Sequence, residues 1–226
     1  MMSVNRTSAY TTPRPDIFDL VPATAIDILD VGCSNGALGR SILQVKSGRR
    51  VSGIEIDERF SQEAAQQLSH VTNADLNTLN WQQTYGDSRF DCIIFADVLE
   101  HLVDPQRCLE QARQYLRKGG CVIVSLPNVR HLSSFVSIFL CGEFPRRDRG
   151  IFDRTHLRWF TISDANTMLT DSGFRVDACT QALRWGDHGG GRYNRILNKM
   201  PIALKRIALI REFLTYQICI RAHAVF

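Results

Sequence analysis

No stretch of this chain is long and apolar enough to look like a membrane span. Among its 226 residues, runs such as Phe135–Cys141 are the longest of that kind. They fall far below the ~20 residues a spanning helix needs. The opening segment, MMSVNRTSAYTTPRP, has no apolar core either, so no secretory signal is expected and a cytoplasmic location is. Cysteine is present seven times, at 33, 92, 108, 121, 141, 179 and 219, with no C-x-x-C pair. An odd, scattered set excludes a disulfide framework and a zinc knuckle, and fits reduced thiols. Charge of one sign is scarce as well: 27 Lys and Arg against 23 Asp and Glu leave only +4. That is too small a surplus for a polyanion binder, and no nucleic-acid partner is expected. Internal repeats, low-complexity tracts and linkers are absent, so residues 1–226 read as one domain. What remains is an ordinary globular composition, 44% hydrophobic and 22% charged, sufficient for a full core.

After a polar leader (residues 1–24), Ala25–Val31 is a short β-branched run that ends in a glycine-rich turn, GCSNGALG. Ala37–Val45 then carries the helical spacing Leu38, Ile42, Val45. Arg50–Ile56 is a second strand, Ser61–His70 a helix, and Phe90–Ala96 a third apolar strand. Pro105–Leu116 reads as a helix stopped by Lys118-Gly119-Gly120, and Cys121–Leu126 as another buried strand. Apolar strands alternating with amphipathic helices predict βαβ units and a parallel sheet covered on both faces. Beyond residue 127 a basic, aromatic stretch runs to 160 without period. Ser163–Ser172 reads as a helix, Phe174–Thr180 as a strand, Gly186–Gly191 as a loop and Met200–Ile210 as a basic amphipathic helix. Leu214–Ala222 is a last, alternating strand.

The turn Gly32-Cys33-Ser34-Asn35-Gly36 lies where open α/β sheets bind ligands, and three chemistries compete for it. A dinucleotide fingerprint fails on spacing, because the glycines fall at 32, 36 and 39. Asp30 would also disfavour a pyrophosphate at the helix N-terminus. A nucleophile elbow matches G-x-S-x-G, and His188-Gly189-Gly190-Gly191 imitates an oxyanion loop. Chain order refutes it, since that loop should precede the nucleophile and several strands should precede the elbow. The third chemistry binds a cation. Beside a glycine turn that admits close backbone approach, an acid such as Asp30 favours a ligand that carries positive charge.

Ile28–Gly39, ILDVGCSNGALG, resembles the first motif of class I S-adenosylmethionine-dependent methyltransferases, with Ser34 where the family usually has glycine. Further motifs follow in order. Gly53-Ile54-Glu55-Ile56-Asp57 places an acid at the end of the second strand, suited to accept both ribose hydroxyls. Asn73-Ala74-Asp75-Leu76 resembles the acidic segment that meets the adenine amino group. Ala96-Asp97-Val98-Leu99-Glu100-His101-Leu102 is similar to the D-x-L-E-H segment of the ubiquinone-biosynthesis O-methyltransferases, and Leu116-Arg117-Lys118-Gly119-Gly120 to the turn before the fifth strand. The resemblance covers roughly residues 25–183 in motif and, with the last strand, nearly the whole chain. It implies a Rossmann-like seven-stranded mixed α/β sheet, order 3-2-1-4-5-7-6, with the last strand antiparallel and helices on both faces. It also implies S-adenosyl-L-methionine as cofactor, held by Asp30, Gly32, Ser34, Gly36, Glu55, Ile56, Asp75, Leu76, Ala96 and Asp97, and no metal.

A hydroxyl acceptor must lose its proton, and His101 stands at the right end of the sheet, with Glu100 and Asp97 near. The same pair would serve equally as a pin for the turn into the next helix. His131 and His156 are the other histidines to compare. Residues 142–161, GEFPRRDRGIFDRTHLRWFT, set five Arg among Phe144, Phe152, Trp159 and Phe160. With SLPNVRHLSS before it, the segment resembles one found in a bacterial methyltransferase subgroup linked to surface-polysaccharide assembly. Such interleaving can bind an anion or a sugar ring, or pair internally through Asp153, Arg154 and Arg158. Arg154 and His156 are expected to face the acceptor, with 127–160 and 184–213 as insertions over its site. The helix Met200–Leu214 packs on the sheet, caps that pocket or touches a membrane surface weakly. The reading is a methyltransferase acting at oxygen on a small-molecule or saccharide acceptor, with the arginines suited to an anionic one. A non-catalytic cofactor-binding assembly or regulatory protein is the competing reading. No feature specifies a stoichiometry.

Overall fold

The computed structural model describes residues 14–186, 191–199, 201 and 207–225. A short helix, α1 (Pro15–Phe18), precedes β1 (Asp27–Val31), α2 (Ala37–Val45), β2 (Arg50–Glu55), α3 (Glu58–Ala65) and β3 (His70–Asn73). Next come α4 (Trp81–Tyr85), β4 (Phe90–Ala96), a 3₁₀ turn at Leu99–His101, α5 (Pro105–Gln114) and β5 (Leu116–Pro127). The last third holds α6 (Leu132–Phe135) with a π turn (Val136–Leu140), α7 (Ile162–Asp171), β6 (Phe174–Leu183), α8 (Gly191–Asn198), α9 (Ala208–Leu214) and β7 (Thr215–Ala224). The strands form one seven-stranded sheet, ordered β3-β2-β1-β4-β5-β7-β6. β7 runs antiparallel to both β5 and β6, and the other pairs are parallel. This is the expected class.

Period-2 side-chain alternation divides the core into two layers. Leu29, Val31, Ile93, Phe95, Val122 and Val124 face α4, α5 and α7, packing on Trp81, Leu109 and Leu169. Ile28, Cys92, Ile94, Cys121 and Ile123 face the other way, against Ile17, Leu38, Ile42 and Ala64. Both faces are covered, which is why the central strands read as near-continuous apolar runs, with Asp30 the break in β1.

Several boundaries differ from the sequence reading. The helix expected over Ser61–His70 begins at Glu58, capped by Asp57 Oδ1, and stops at Ala65. His70 then opens an edge strand whose residues are all partly or fully exposed, so it has no apolar signature. Lys118-Gly119-Gly120 is no helix stop: α5 ends at Gln114, and the three residues lie inside β5. There Gly119 takes φ +82° next to a register irregularity against β4. The leader is packed from α1 on, with Ile17 and Leu20 buried. The stretch 127–160, read as aperiodic, contains α6 and its π turn. Most of the expected helix Met200–Ile210 and of the loop Gly186–Gly191 lies outside the described residues, although α8 starts at Gly191.

Candidate active site

The carboxyl ends of β1, β2 and β4 open into a cavity of about 630 Å³. Parallel strands present these ends on one rim. Antiparallel β7 brings its beginning, Tyr216 and Gln217, to the same rim. Twelve of the fourteen expected site residues line the cavity: Asp30, Gly32, Ser34, Glu55, Ile56, Asp75, Leu76, Ala96, Asp97, Glu100, His101 and His156. The other two, Gly36 and Arg154, do not.

The glycine turn is fixed by backbone bonds to its neighbour strand, Gly32 N–H and Cys33 N–H both donating to Ile54 O at 2.8 and 3.0 Å. Gly32 has φ +71°, and a Cβ there would lie 2.5 Å from Val98 Cγ2. Ser34 also sits in the left-handed region, at φ +48°, where a non-glycine residue is strained. Its Oγ is buried without a hydrogen-bond partner. Gly36 instead caps α2 at φ +82°, where a Cβ would approach Ala64 Cα to 3.2 Å. It shapes the turn from behind and does not border the ligand space.

Glu55 accepts the Ser34 N–H through Oε2 (2.8 Å) and the Asp57 N–H through Oε1 (2.9 Å). Each oxygen keeps a second lone pair. Burial raises the Glu55 pKa, opposed by these backbone bonds. Asp30 is 1% exposed, and its Oδ2 has no partner. Burial first, and the nearby Glu55 charge second, push its pKa up to about 7. An orphaned buried carboxylate oxygen bordering a cavity calls for a cationic donor. Ile56 and Leu76 add apolar surface beside Asp75, whose Oδ1 accepts from Asn77.

Asp97 (φ +59°) accepts from Ser125 Oγ at 3.0 Å and from the side chains of Arg14 and Gln217. Arg14 is forked onto Asp16 at 3.0 and 2.8 Å and donates to Ser125 Oγ at 2.8 Å. Its pKa is raised: burial opposes the charge, but the Asp97 and Asp16 carboxylates outweigh it. Sequence reasoning passed over Arg14, inside a polar leader, and Gln217. Gln217 keeps step with the alternation read for the last strand, so no signal in the sequence singled it out.

On the far side, Glu100 is buried, Oε2 lacks a partner, and burial with the nearby Asp97 charge raises its pKa well above the carboxylate range. The insertion is anchored here, Leu157 N–H and Arg158 N–H both donating to Glu100 O at 2.9 and 3.1 Å. His101 Nδ1 pairs with Thr155 O (3.2 Å), and His156 Nδ1 with Ile151 O (3.1 Å). A carbonyl only accepts, so both neutral rings carry hydrogen on Nδ1 and a lone pair on Nε2. The rings meet edge-on at 4.8 Å, and His156 Nε2 lies 4.0 Å from Glu100 Oε1. One ligand-type atom from each of Glu100, His101 and His156 falls within 4.8 Å of the others, near enough to share a proton or a cation. Burial, then His101, lowers the His156 pKa.

Arg154, expected to face the acceptor, pairs instead with Asp148 at 2.8 Å and is 53% exposed. Arg149, five residues earlier, lines the cavity in its place, with Asp153 and Thr155. A helical or extended period could not foretell this, because the segment is an irregular loop closed by the Arg147–Asp153 bridge. Among the described residues, none from 184–213 borders the cavity.

The family model described as "Methyltransferase domain" matches residues 5–178. Two curated relatives are ubiquinone biosynthesis O-methyltransferases. That of Psychrobacter arcticus is 27% identical over 157 residues, 65% of this chain and 58% of that protein. That of Coxiella burnetii is 29% identical over 123 residues, 52% of this chain and 50% of that protein. The chain thus spans only half to three-fifths of the length of these relatives. The magnesium protoporphyrin IX methyltransferase of Synechocystis PCC 6803, solved with S-adenosylhomocysteine bound, shares the fold at TM-score 0.61 and 17% identity, over 99% of this chain and 85% of that one. The orphaned Asp30 oxygen, the free lone pairs of Glu55 and the apolar strip of Ile56 and Leu76 fit the ammonium, ribose and base of S-adenosylmethionine in turn. Motif order, sheet order, this donor set and the matched family model agree: the chain belongs to the class I S-adenosylmethionine-dependent methyltransferases.

Proposed function

We propose that the chain moves a methyl group to a hydroxyl oxygen of a small-molecule acceptor, a ring hydroxyl of quinone-precursor type. The observation that carries the reading is the Glu100, His101 and His156 cluster, set in the same cavity as the cofactor-fitting residues. S-adenosylmethionine, when bound, supplies an electrophilic methyl on a sulfonium. Asp30 would hold its ammonium, Glu55 its ribose and Asp75 its base. The residues of the chain then have two tasks, alignment and proton removal. His101 Nε2, with its lone pair free, takes the hydroxyl proton as the oxygen attacks. His156 and the buried Glu100 border that imidazole, and the Ile151 and Thr155 carbonyls hold both rings in the tautomer that leaves Nε2 basic. Arg149 stands where it can pair with an anionic group on the acceptor. The names of the curated relatives support a quinone-type ring; none of those cited supports a saccharide.

The test is methyl transfer from ¹³C-methyl-labelled cofactor to a dihydroxybenzoate probe, with a sugar phosphate in parallel, read by NMR of the product. An O-methyl signal on the ring is the expected result. Transfer to nitrogen or carbon, or to the sugar alone, overturns the reading.

A further inference from the structure

The helical segment Leu132–Leu140 is amphipathic the wrong way round. Ser134 is 2% exposed and turned inward, whereas Phe135, Val136, Phe139 and Leu140 face out at 42, 38, 72 and 70% exposure. These four form two i,i+4 pairs side by side, one helix face, and the Phe135 and Phe139 rings stack at 5.3 Å. No charge occurs between His131 and Glu143. The chain turns back through a Glu143 N–H to Ser137 O bond at 2.8 Å, and half-exposed Phe144 packs edge-on against Trp159 at 5.2 Å. Folding a soluble domain should bury the aromatics and expose the serine, so an unpaired apolar face of this kind marks a contact surface.

Its surroundings select the partner. Between residues 130 and 158 there are six Arg against Glu143, Asp148 and Asp153. Two copies meeting symmetrically through this face would bring arginines against arginines. An anionic lipid surface satisfies both halves, taking the aromatic and aliphatic side chains below its headgroups and the guanidiniums among its phosphates. We infer that the Leu132–Leu140 face, with Phe144 and the flanking arginines, docks the protein on anionic membrane. No helix among the described residues is long and apolar enough to cross a bilayer, so the contact is peripheral. Pro127, before this segment, and Arg149 and Gly150, after it, line the cavity. Docking therefore sets the cavity mouth near the headgroups. That consequence rests on the proposed acceptor site, whereas the docking itself does not.

The experiment is co-sedimentation of the full chain with phosphatidylcholine vesicles, with and without roughly 30 mole per cent phosphatidylglycerol to give the surface a negative potential. Binding is expected only to the anionic vesicles, reduced by 0.5 M salt to roughly the neutral-vesicle level. The F139E/L140E double variant should partition at least about tenfold less, at unchanged circular dichroism, because both side chains are mostly solvent-facing. Absence of binding, or equal binding by the double variant, overturns the inference. So does a dimer in analytical ultracentrifugation that the same variant dissolves, which would make the face a self-interface. Cofactor binding by calorimetry is read on the same samples, so failure to dock is distinguishable from failure of the methyltransferase reading.

Discussion

Glu55 Oε2 accepts the backbone N–H of Ser34 at 2.8 Å, which ties the acid at the end of β2 to the middle of the glycine turn after β1. One carboxylate thus shapes the turn and keeps its remaining lone pairs toward the cavity it lines. Glu55→Ala should weaken S-adenosylmethionine binding by ~1.5–3 kcal/mol, the scale of a charge-assisted hydrogen bond. It should also lower thermal stability, because the Ser34 and Asp57 N–H groups lose their acceptor. Titration calorimetry and a melting curve check the two halves. Unchanged affinity removes the ribose assignment.

Asp30 links pH to both stability and binding. Its pKa in the fold is about 7 against 3.8 for the free side chain. A raised acid pKa means the unfolded chain releases this proton first, so the ligand-free protein loses stability as pH climbs from about 4 to about 7 and is flat above. Asp30→Asn removes that loss, and denaturant melts at pH 5 and pH 8 should show its advantage growing with pH. Cofactor affinity runs the opposite way. It should rise from pH 6 towards pH 7.5 as Asp30 ionises, then fall as the ligand's amino group, of pKa ~8, deprotonates. A flat wild-type profile would exclude Asp30 as the ammonium's partner.

The two histidines separate a proton acceptor from a structural pin. If His101 removes the hydroxyl proton, His101→Gln should cut turnover ~10²–10⁴-fold with cofactor affinity intact. His156 itself stays neutral below the usual histidine range, because burial holds its pKa down, and NMR titration of its ring should show this. Normal turnover per folded molecule with a lower melting temperature identifies a pin. Turnover abolished by a chelator and restored by Mn²⁺ reassigns the Glu100, His101 and His156 trio to a cation.

The arginines of the insertion should divide by position. Arg149→Ala should raise the acceptor KM several-fold and leave cofactor affinity alone. Arg154→Ala should change neither, since its pair with Asp148 is more than half exposed and worth about 0–1 kcal/mol. Steady-state kinetics on an anionic acceptor decide between them.

Gly32 admits no side chain. Gly32→Ala puts a Cβ against Val98 at φ +71° and should destabilise the fold by ~2–4 kcal/mol, left-handed strain and overpacking acting together. Urea unfolding measures it.

The central strands were legible because both their faces are covered, so Cys92–Phe95 and Cys121–Val124 carry no polar interruption and Ile28–Val31 is broken only by Asp30, the residue that borders the site. β3 was not, because an edge strand of four part-exposed residues, HVTN, has nothing for hydrophobic periodicity to register. Most of the cavity lining could be placed because it follows strand ends, where chain position predicts space. Arg14, Gln217 and Arg149 escaped for the opposite reason. Each reaches the cavity from outside the βαβ rhythm, the first from before β1, the second on a reversed strand, the third on an irregular loop.

The meeting of Arg14 and Gln217 on Asp97 has a consequence for synthesis. At ~5–20 residues per second, roughly 10–40 s separate the emergence of these two side chains from a ribosome. Over the last roughly 5–18 s of that interval, once Ser125 has emerged, Asp97 and Ser125 hold an unfinished polar cluster, and β5 shows a bare edge until β7 arrives to pair with it. The nascent molecule is therefore most exposed to mispairing just before its site can be completed. Slow decoding of the 184–213 stretch would lengthen that window, and a chaperone acting on this chain would have most to gain there.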